Sequence, residues 1–106
     1  KGLGHKFLRH VSRTKMLLHC ISCEYENPLE TYNIIREELR KYDPSLLSKA
    51  EVVVFTKTDL IDGDKIQSHV KQFQKTHENV FTLSILDDGS IKKLSDNLVN
   101  ILSKLQ

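Results

Sequence analysis

The residues of this chain whose types and spacing could do chemistry fall into four groups. The polar tract Thr56-Lys57-Thr58-Asp59 follows the apolar run Ala50-Glu51-Val52-Val53-Val54-Phe55 without a break, which puts a cation and a carboxylate where a buried strand should end. Ser84-Ile85-Leu86 closes a second short apolar run and offers a hydroxyl and main-chain N–H groups. Cys20-Ile21-Ser22-Cys23 has the spacing of a redox or zinc pair. The fourth group is a basic start, in which Lys1, Lys6, Arg9, Arg13 and Lys15 stand beside His5 and His10.

Each group also has a plain structural reading. The cysteines lie in and after the apolar run from Met16 to Ile21, which reads as a strand, and side chains three apart on a strand point to opposite faces. No second CxxC and no suitably spaced His pair completes four ligands, so one buried thiol and one strand-end thiol are expected. Taken alone, Thr56-Lys57-Thr58-Asp59 is equally a polar strand-to-helix turn with an aspartate cap. His19 falls mid-strand and reads as a satisfied core histidine, while His69 and His77 fall on a polar helix face and receive no role.

The elements that must position these residues alternate in type. Residues 4–13 read as a short basic helix with Phe7, Leu8 and Val11 on its apolar face, and residues 14–22 as a strand buried on both faces. Asn27-Pro28-Leu29-Glu30 is a helix start, with Asn as cap and Pro at the first helical position; Tyr32, Ile35, Leu39 and Tyr42 mark its stripe. Asp43-Pro44 ends that helix and begins one further turn through Leu46 and Leu47. After the strand at residues 50–55, Ile66, Val70 and Phe73 space a helix over residues 64–77, residues 79–84 make a third strand, and Ile91, Leu94, Leu98, Ile101, Leu102 and Leu105 follow the 3.6-residue period of a last helix. The order α-β-α-β-α-β-α specifies a three-layer α/β unit around a mainly parallel three-stranded sheet with about four helices. Ligands of such sheets bind beyond the C-terminal ends of the strands, which here means residues 22–26, 56–60 and 84–89.

Bulk properties narrow the class. A chain of 106 residues supports one modest core, and its composition is that of an ordinary globular protein. A net charge of +2 does not by itself imply nucleic-acid binding. No apolar run approaches the roughly 18 residues that cross a bilayer, and the start has no signal-peptide core, so no membrane partner and a cytoplasmic location are expected.

Against this frame, Thr56-Lys57-Thr58-Asp59 resembles the Asn-Lys-x-Asp guanine-specificity motif of GTPases, with Thr in place of Asn. The resemblance implies that Asp59 accepts from the N1–H and 2-amino groups of guanine, and that Lys57 lays its stem across the purine plane. Ser84-Ile85-Leu86 resembles the Ser-Ala-x segment whose main-chain N–H groups face the guanine carbonyl, with Ile85 in place of Ala. Lys1-Gly2-Leu3-Gly4-His5-Lys6-Phe7-Leu8-Arg9-His10-Val11 and then Arg13 is similar to the stretch that follows the second switch in the Obg family. Leu17-Leu18-His19, residues 32–39 and Tyr42-Asp43-Pro44-Ser45-Leu46 continue the likeness. It covers essentially the whole chain and is weakest over residues 62–79 and 87–90; Ser22 departs from the Asp the family usually has there.

The resemblance implies a partial P-loop GTPase G domain occupying residues 1–106 as a single unit, from the end of switch II through the C-terminal helix. It further implies a guanine nucleotide (GTP or GDP) as ligand, magnesium in the full-length parent, and a role in ribosome assembly, with ribosomal RNA as the partner of the basic start. A solvated helix face is the alternative reading of those charges. No Gly-x-x-x-x-Gly-Lys-Ser/Thr occurs, and the magnesium-binding Thr and Asp-x-x-Gly of the switches are missing, so this stretch by itself is not expected to hydrolyse GTP. In the strand order the family implies, the run from Met16 to Ile21 lacks its neighbour and is expected to be an exposed edge that recruits a second copy. The competing reading is a non-catalytic interaction module that has kept a G-domain surface without its nucleotide.

Overall fold

A computed structural model of the protein describes residues 4–105; Lys1, Gly2 and Leu3 of the basic start lie outside the described residues. Helix α1 (His5–Ser12) leads into strand β1 (Met16–Ser22), α2 (Pro28–Tyr42), β2 (Ala50–Thr56), α3 (Gly63–Gln74), β3 (Val80–Thr82) and α4 (Asp88–Lys104). Two 3₁₀ turns, Pro44–Ser48 and Thr58–Leu60, precede and follow β2. The caps form as the sequence predicts. The Asn27 side chain accepts from Glu30 N with Pro28 at the start of α2, and the Asp43 side chain accepts from Ser45 N to open the first 3₁₀ turn.

The strands form one parallel sheet in the order β1-β2-β3, with Ile21 opposite Phe55 and Thr82 opposite Phe55 on the other side. Strand alternation sorts the side chains into two faces. Ile21, Val53 and Phe55 face α2 and α3, packing with Tyr32, Val70 and Phe73, whereas Val52 and Val54 face Leu94, Leu98 and Ile101 of α4. Leu8 and Val11 of α1 pack outside α2, against Leu39 and Leu46. The result is the expected three-layer α/β architecture with four helices, compatible with part of a P-loop GTPase domain. No described helix is long and apolar enough to cross a membrane.

Three expectations change. β1 is not buried on both faces: Leu18 is 46% exposed and Cys20 is exposed, while the cluster that α4 forms with Val52 and Val54 takes in Met16 at the start of β1. The buried thiol is therefore the strand-end one, Cys23. His69 and His77 are not on a solvated face. His69 is buried and stacks on Phe55, and His77 turns inward to Tyr32.

That inward turn completes a polar cluster around Glu51 of β2. Tyr32 Oη donates to Glu51 Oε1 at 2.6 Å and is itself 2.7 Å from His77 Nε2, which the network assigns as a donor. His19 Nδ1 and Arg36 Nη1 each lie 3.7 Å from Glu51 Oε2, too far for hydrogen bonds, and the Arg36 guanidinium is close enough to act as a charge. Burial pushes the Glu51 carboxyl up, and His19, Tyr32 and the Arg36 charge together outweigh it, leaving the group below its ordinary value. Burial and the adjacent carboxylate push the Tyr32 phenol up, so it stays a donor.

A carboxylate whose pKa is depressed by folding stabilises the fold above its unfolded value and loses that contribution as pH falls through the folded one. Glu51→Gln is accordingly expected to lower stability at neutral pH by roughly 1–3 kcal/mol, the range for hydrogen bonds to a charged group. The difference from wild type should shrink as the medium is acidified below the ordinary glutamate range. Chemical denaturation over a pH series checks both; a constant difference would remove Glu51 ionisation from the stability of the fold.

Candidate functional site

The C-terminal ends of the three strands carry the candidate residues, and the backbone joins their loops. Cys23 N donates to Thr56 O at 3.0 Å, and Leu83 N donates to Phe55 O at 2.8 Å, so the β1 and β3 exits are both fastened to the end of β2. Thr58 adds N–H and hydroxyl bonds to Leu83 O, each 3.4 Å long.

The two tracts singled out from the sequence meet through their side chains. Ser84 Oγ donates to Asp59 Oδ1 at 2.9 Å and accepts from Leu86 N at 3.2 Å. Ser84 is 7% exposed, so this bond is shielded, while Asp59 itself is exposed and its second oxygen makes no hydrogen bond among the described residues. Of the three amides in Ser84-Ile85-Leu86, Ser84 N donates to Ser90 Oγ and Leu86 N to Ser84 Oγ. The Ile85 N–H is left, among the described residues, without a partner. A carboxylate with open lone pairs and one open amide therefore stand on loops tied to each other.

Lys57 occupies the corner between β2 and the second 3₁₀ turn at φ 58°, ψ 37°, the left-handed region that non-glycine residues rarely adopt. Its Nζ lies 3.0 Å from Glu24 Oε1, and Ser22 holds Glu24 by a 3.2 Å bond to the same oxygen and a 3.2 Å bond from Glu24 N. Lys57 and Ser22 hold the Glu24 carboxyl below its ordinary range. Thr56 Oγ1 reaches Ile21 O only at 3.5 Å. Sequence reasoning did not single out Glu24; its signal was its place two residues beyond a strand end in the same loop cluster.

The other candidates separate from this site. Cys20 and Cys23 are free thiols whose pKa values burial raises, which is the opposite of an activated thiolate, and no group of three or more potential ligands suited to a metal occurs among the described residues. Lys6, Arg9, His10 and Arg13, in and just after α1, line one cleft to which none of the strand-end loops contributes. Beside the site, Ile85 and Leu86 are 80% and 76% exposed and Leu60 is 55% exposed, an apolar rim on otherwise polar loops.

Among curated proteins the chain is 39% identical over 103 residues to a protein named GTPase Obg from Pelagibacter ubique (strain HTCC1062), covering 96% of this chain and 32% of that protein. It is 47% identical over 100 residues to GTPase Obg of Prochlorococcus marinus (strain MIT 9301), covering 93% of this chain and 29% of the relative. With GTPase Obg of Microcystis aeruginosa (strain NIES-843 / IAM M-2473) it shares 36% identity over 106 residues, 99% of this chain and 31% of the relative. The chain thus spans about a third of the length of the curated relatives it matches. No family model matches it.

The left-handed corner at Lys57 generates a test of local strain. Glycine pays no Cβ penalty there, although it loses more backbone entropy on folding, whereas alanine keeps the penalty. Lys57→Gly and Lys57→Ala lose the same ammonium, so Lys57→Gly is expected to be the more stable of the two by about 1 kcal/mol. Paired denaturation curves measure the difference; equal stabilities would mean the corner is not held left-handed in solution.

Proposed function

We propose, for a chain whose whole length corresponds to a stretch of the Obg family, that it is the guanine-recognition part of an Obg-type GTP-binding protein. The observation that carries this reading is the 2.9 Å bond from Ser84 to Asp59, which joins the two loops that resemble the guanine-reading segments of GTPases. With Ser84 occupying one position on Oδ1, the Asp59 carboxylate still has lone pairs for two donors, the number guanine presents through N1–H and its 2-amino group. The open Ile85 amide is suited to the guanine carbonyl, Leu86 supports it through its bond to Ser84, and the Lys57 stem lies across the purine plane with its ammonium held by Glu24. Thr56 supplies the main-chain carbonyl that fastens the loop to Cys23.

Adenine offers no matching donor pair to a carboxylate, so Asp59 is the discriminating group. The phosphates of GTP or GDP and a magnesium ion have no counterpart among the motifs of this chain, which makes base recognition its share of a nucleotide site and hydrolysis the property of a longer Obg-type protein. The reading treats residues 1–106 as a single partial G domain of a ribosome-assembly factor in the cytoplasm.

The cleft lined by Lys6, Arg9, His10 and Arg13 supports a second surface in the same reading, a phosphate-contacting face for ribosomal RNA. Its affinity should fall steeply with salt, and Arg9→Glu should flatten that dependence; binding to structured RNA with no salt slope would rule the surface out.

The base site is tested by titrating the chain with GMP, AMP and XMP and following the amides of residues 56–60 and 84–86 by NMR. Guanine is expected to be preferred over adenine, and Asp59→Asn to reverse the order of guanine and xanthine. Losing charge-assisted bonds of about 1.5–3 kcal/mol each corresponds to at least tenfold weaker guanine binding. No preference among the three bases would sink the reading in favour of a non-catalytic interaction module, and an unchanged preference in Asp59→Asn would remove Asp59 from the site.

A further inference from the structure

The loop that carries Ser84 has almost no core of its own: Ile85 and Leu86 are 80% and 76% exposed, and residues 87–89 are exposed as well. Its shape must therefore come from hydrogen bonds. Leu83 N is spent on Phe55 O at 2.8 Å, but Ser84 is buried and its own N–H needs a partner, because a buried amide is rarely left unpaired. Ser90 supplies it. Ser90 Oγ accepts from Ser84 N at 3.2 Å, and two carbonyl oxygens lie within reach of its one proton, Asp87 O at 2.9 Å and Ser84 O at 3.2 Å. A single hydroxyl thus grips Ser84 by its main chain.

We propose that Ser90 is a positioning residue of the base site, holding Ser84 where its hydroxyl reaches Asp59 and leaving the Ile85 N–H open. This role rests on the guanine reading given above and adds to it a residue outside both tracts that resemble guanine-reading segments. Ser90 is suited to it because it is itself fixed. It lies in the first turn of α4, where the Asp87 side chain accepts from Gly89 N at 2.9 Å and from Ser90 N at 3.3 Å. Leu94, four residues on and so on the same helix face, packs against Val52 and Val54 of β2. A serine side chain has one rotamer-setting bond with which to place its hydroxyl, so the main chain of Ser84 decides whether Ser84 Oγ stays 2.9 Å from Asp59 Oδ1. The same hydroxyl takes Leu86 N at 3.2 Å, and both contacts move when Ser84 moves. Without the Ser90 hydroxyl, Ser84-Ile85-Leu86 gains a second open amide and the Asp59 carboxylate loses the support that aims it.

Ser90→Ala and Ser90→Thr separate the hydroxyl from the rest of the side chain, and Asp87 is retained as the cap of α4 in both. In the chain without nucleotide, amide hydrogen exchange followed by NMR should show the Ser84 N–H protected in wild type and in Ser90→Thr, and exchanging about tenfold faster or more in Ser90→Ala. Titrated with GMP, Ser90→Ala should bind about threefold to tenfold more weakly, the effect of losing one ordinary hydrogen bond, with AMP binding unchanged and GMP binding recovered in Ser90→Thr. Unchanged Ser84 exchange in Ser90→Ala overturns the inference whatever the bases do. Equal weakening of GMP and AMP would make Ser90 a structural residue of α4 and overturns it too, as does full GMP affinity in Ser90→Ala, or no recovery in a Ser90→Thr chain whose Ser84 amide is protected. A wild-type chain that does not prefer GMP to AMP is a different failure, visible before any substitution: it sinks the guanine reading and takes the role of Ser90 with it.

Discussion

The constraint on which the rest of the structure depends is the complete burial of β2. Val52, Val53, Val54 and Phe55 are each 0% exposed, flanked by strands on both sides and helices on both faces. A one-residue slip would exchange the pair that meets α2 and α3 for the pair that meets α4, and carry Glu51 away from Tyr32. The strand therefore has one register, and its end is a fixed point. Lys57 turns left-handed immediately beyond it, and the loops after β1 and β3 are each hydrogen-bonded to it through Thr56 and Phe55. Loops that would otherwise move independently inherit their positions from a hydrophobic core.

The cost of that burial appears at Glu51, the polar residue before the apolar run. Its carboxylate is 91% shielded by side-chain measure yet is not abandoned: Tyr32 donates to it, and two histidines and Arg36 surround it. Among the described residues Glu51 Oε2 and Arg36 Nη1 have no hydrogen-bond partner, so their attraction is coulombic across 3.7 Å. Such a cluster favours one arrangement of β1, β2, α2 and the end of α3 more than it adds net stability, because breaking it strands a charge while replacing it whole would not.

How legible this was depended on whether a feature is local. Asn27-Pro28, Asp43-Pro44, the β2 run and the α4 stripe are decided by residues near one another in sequence, and each was readable from periodicity and capping chemistry. The meeting of Asp59 with Ser84 was only implied by resemblance, since it depends on parallel pairing across 25 positions. His69 and His77 were misread for the same reason. On an isolated helix they fall among lysines and glutamines, but their partners, Phe55 and Tyr32, come from another strand and another helix. The exposure of Leu18 and Cys20 is likewise a property of how the elements pack, which an apolar run does not encode.

The departures from the family pattern can be weighed physically once the loops are placed. Thr56 lacks an amide side chain, and its hydroxyl bond is at the limit of length, but the loop is held through the Thr56 carbonyl, which any residue provides. Ser22 lacks a carboxylate, and Glu24 brings one to Lys57 from two residues further along, although an exposed ion pair of this kind orients a side chain more than it stabilises a fold. Ile85 is larger than alanine, yet its side chain is 80% exposed and leaves its own amide open. In each case the altered side chain sits where main chain or a neighbour supplies the contact. Asp59 is different: for the recognition proposed here, no backbone group can replace a charged acceptor for two donors at once. By holding Asp59 on Ser84, the loop cluster fixes the one group on which base selection would turn in that reading.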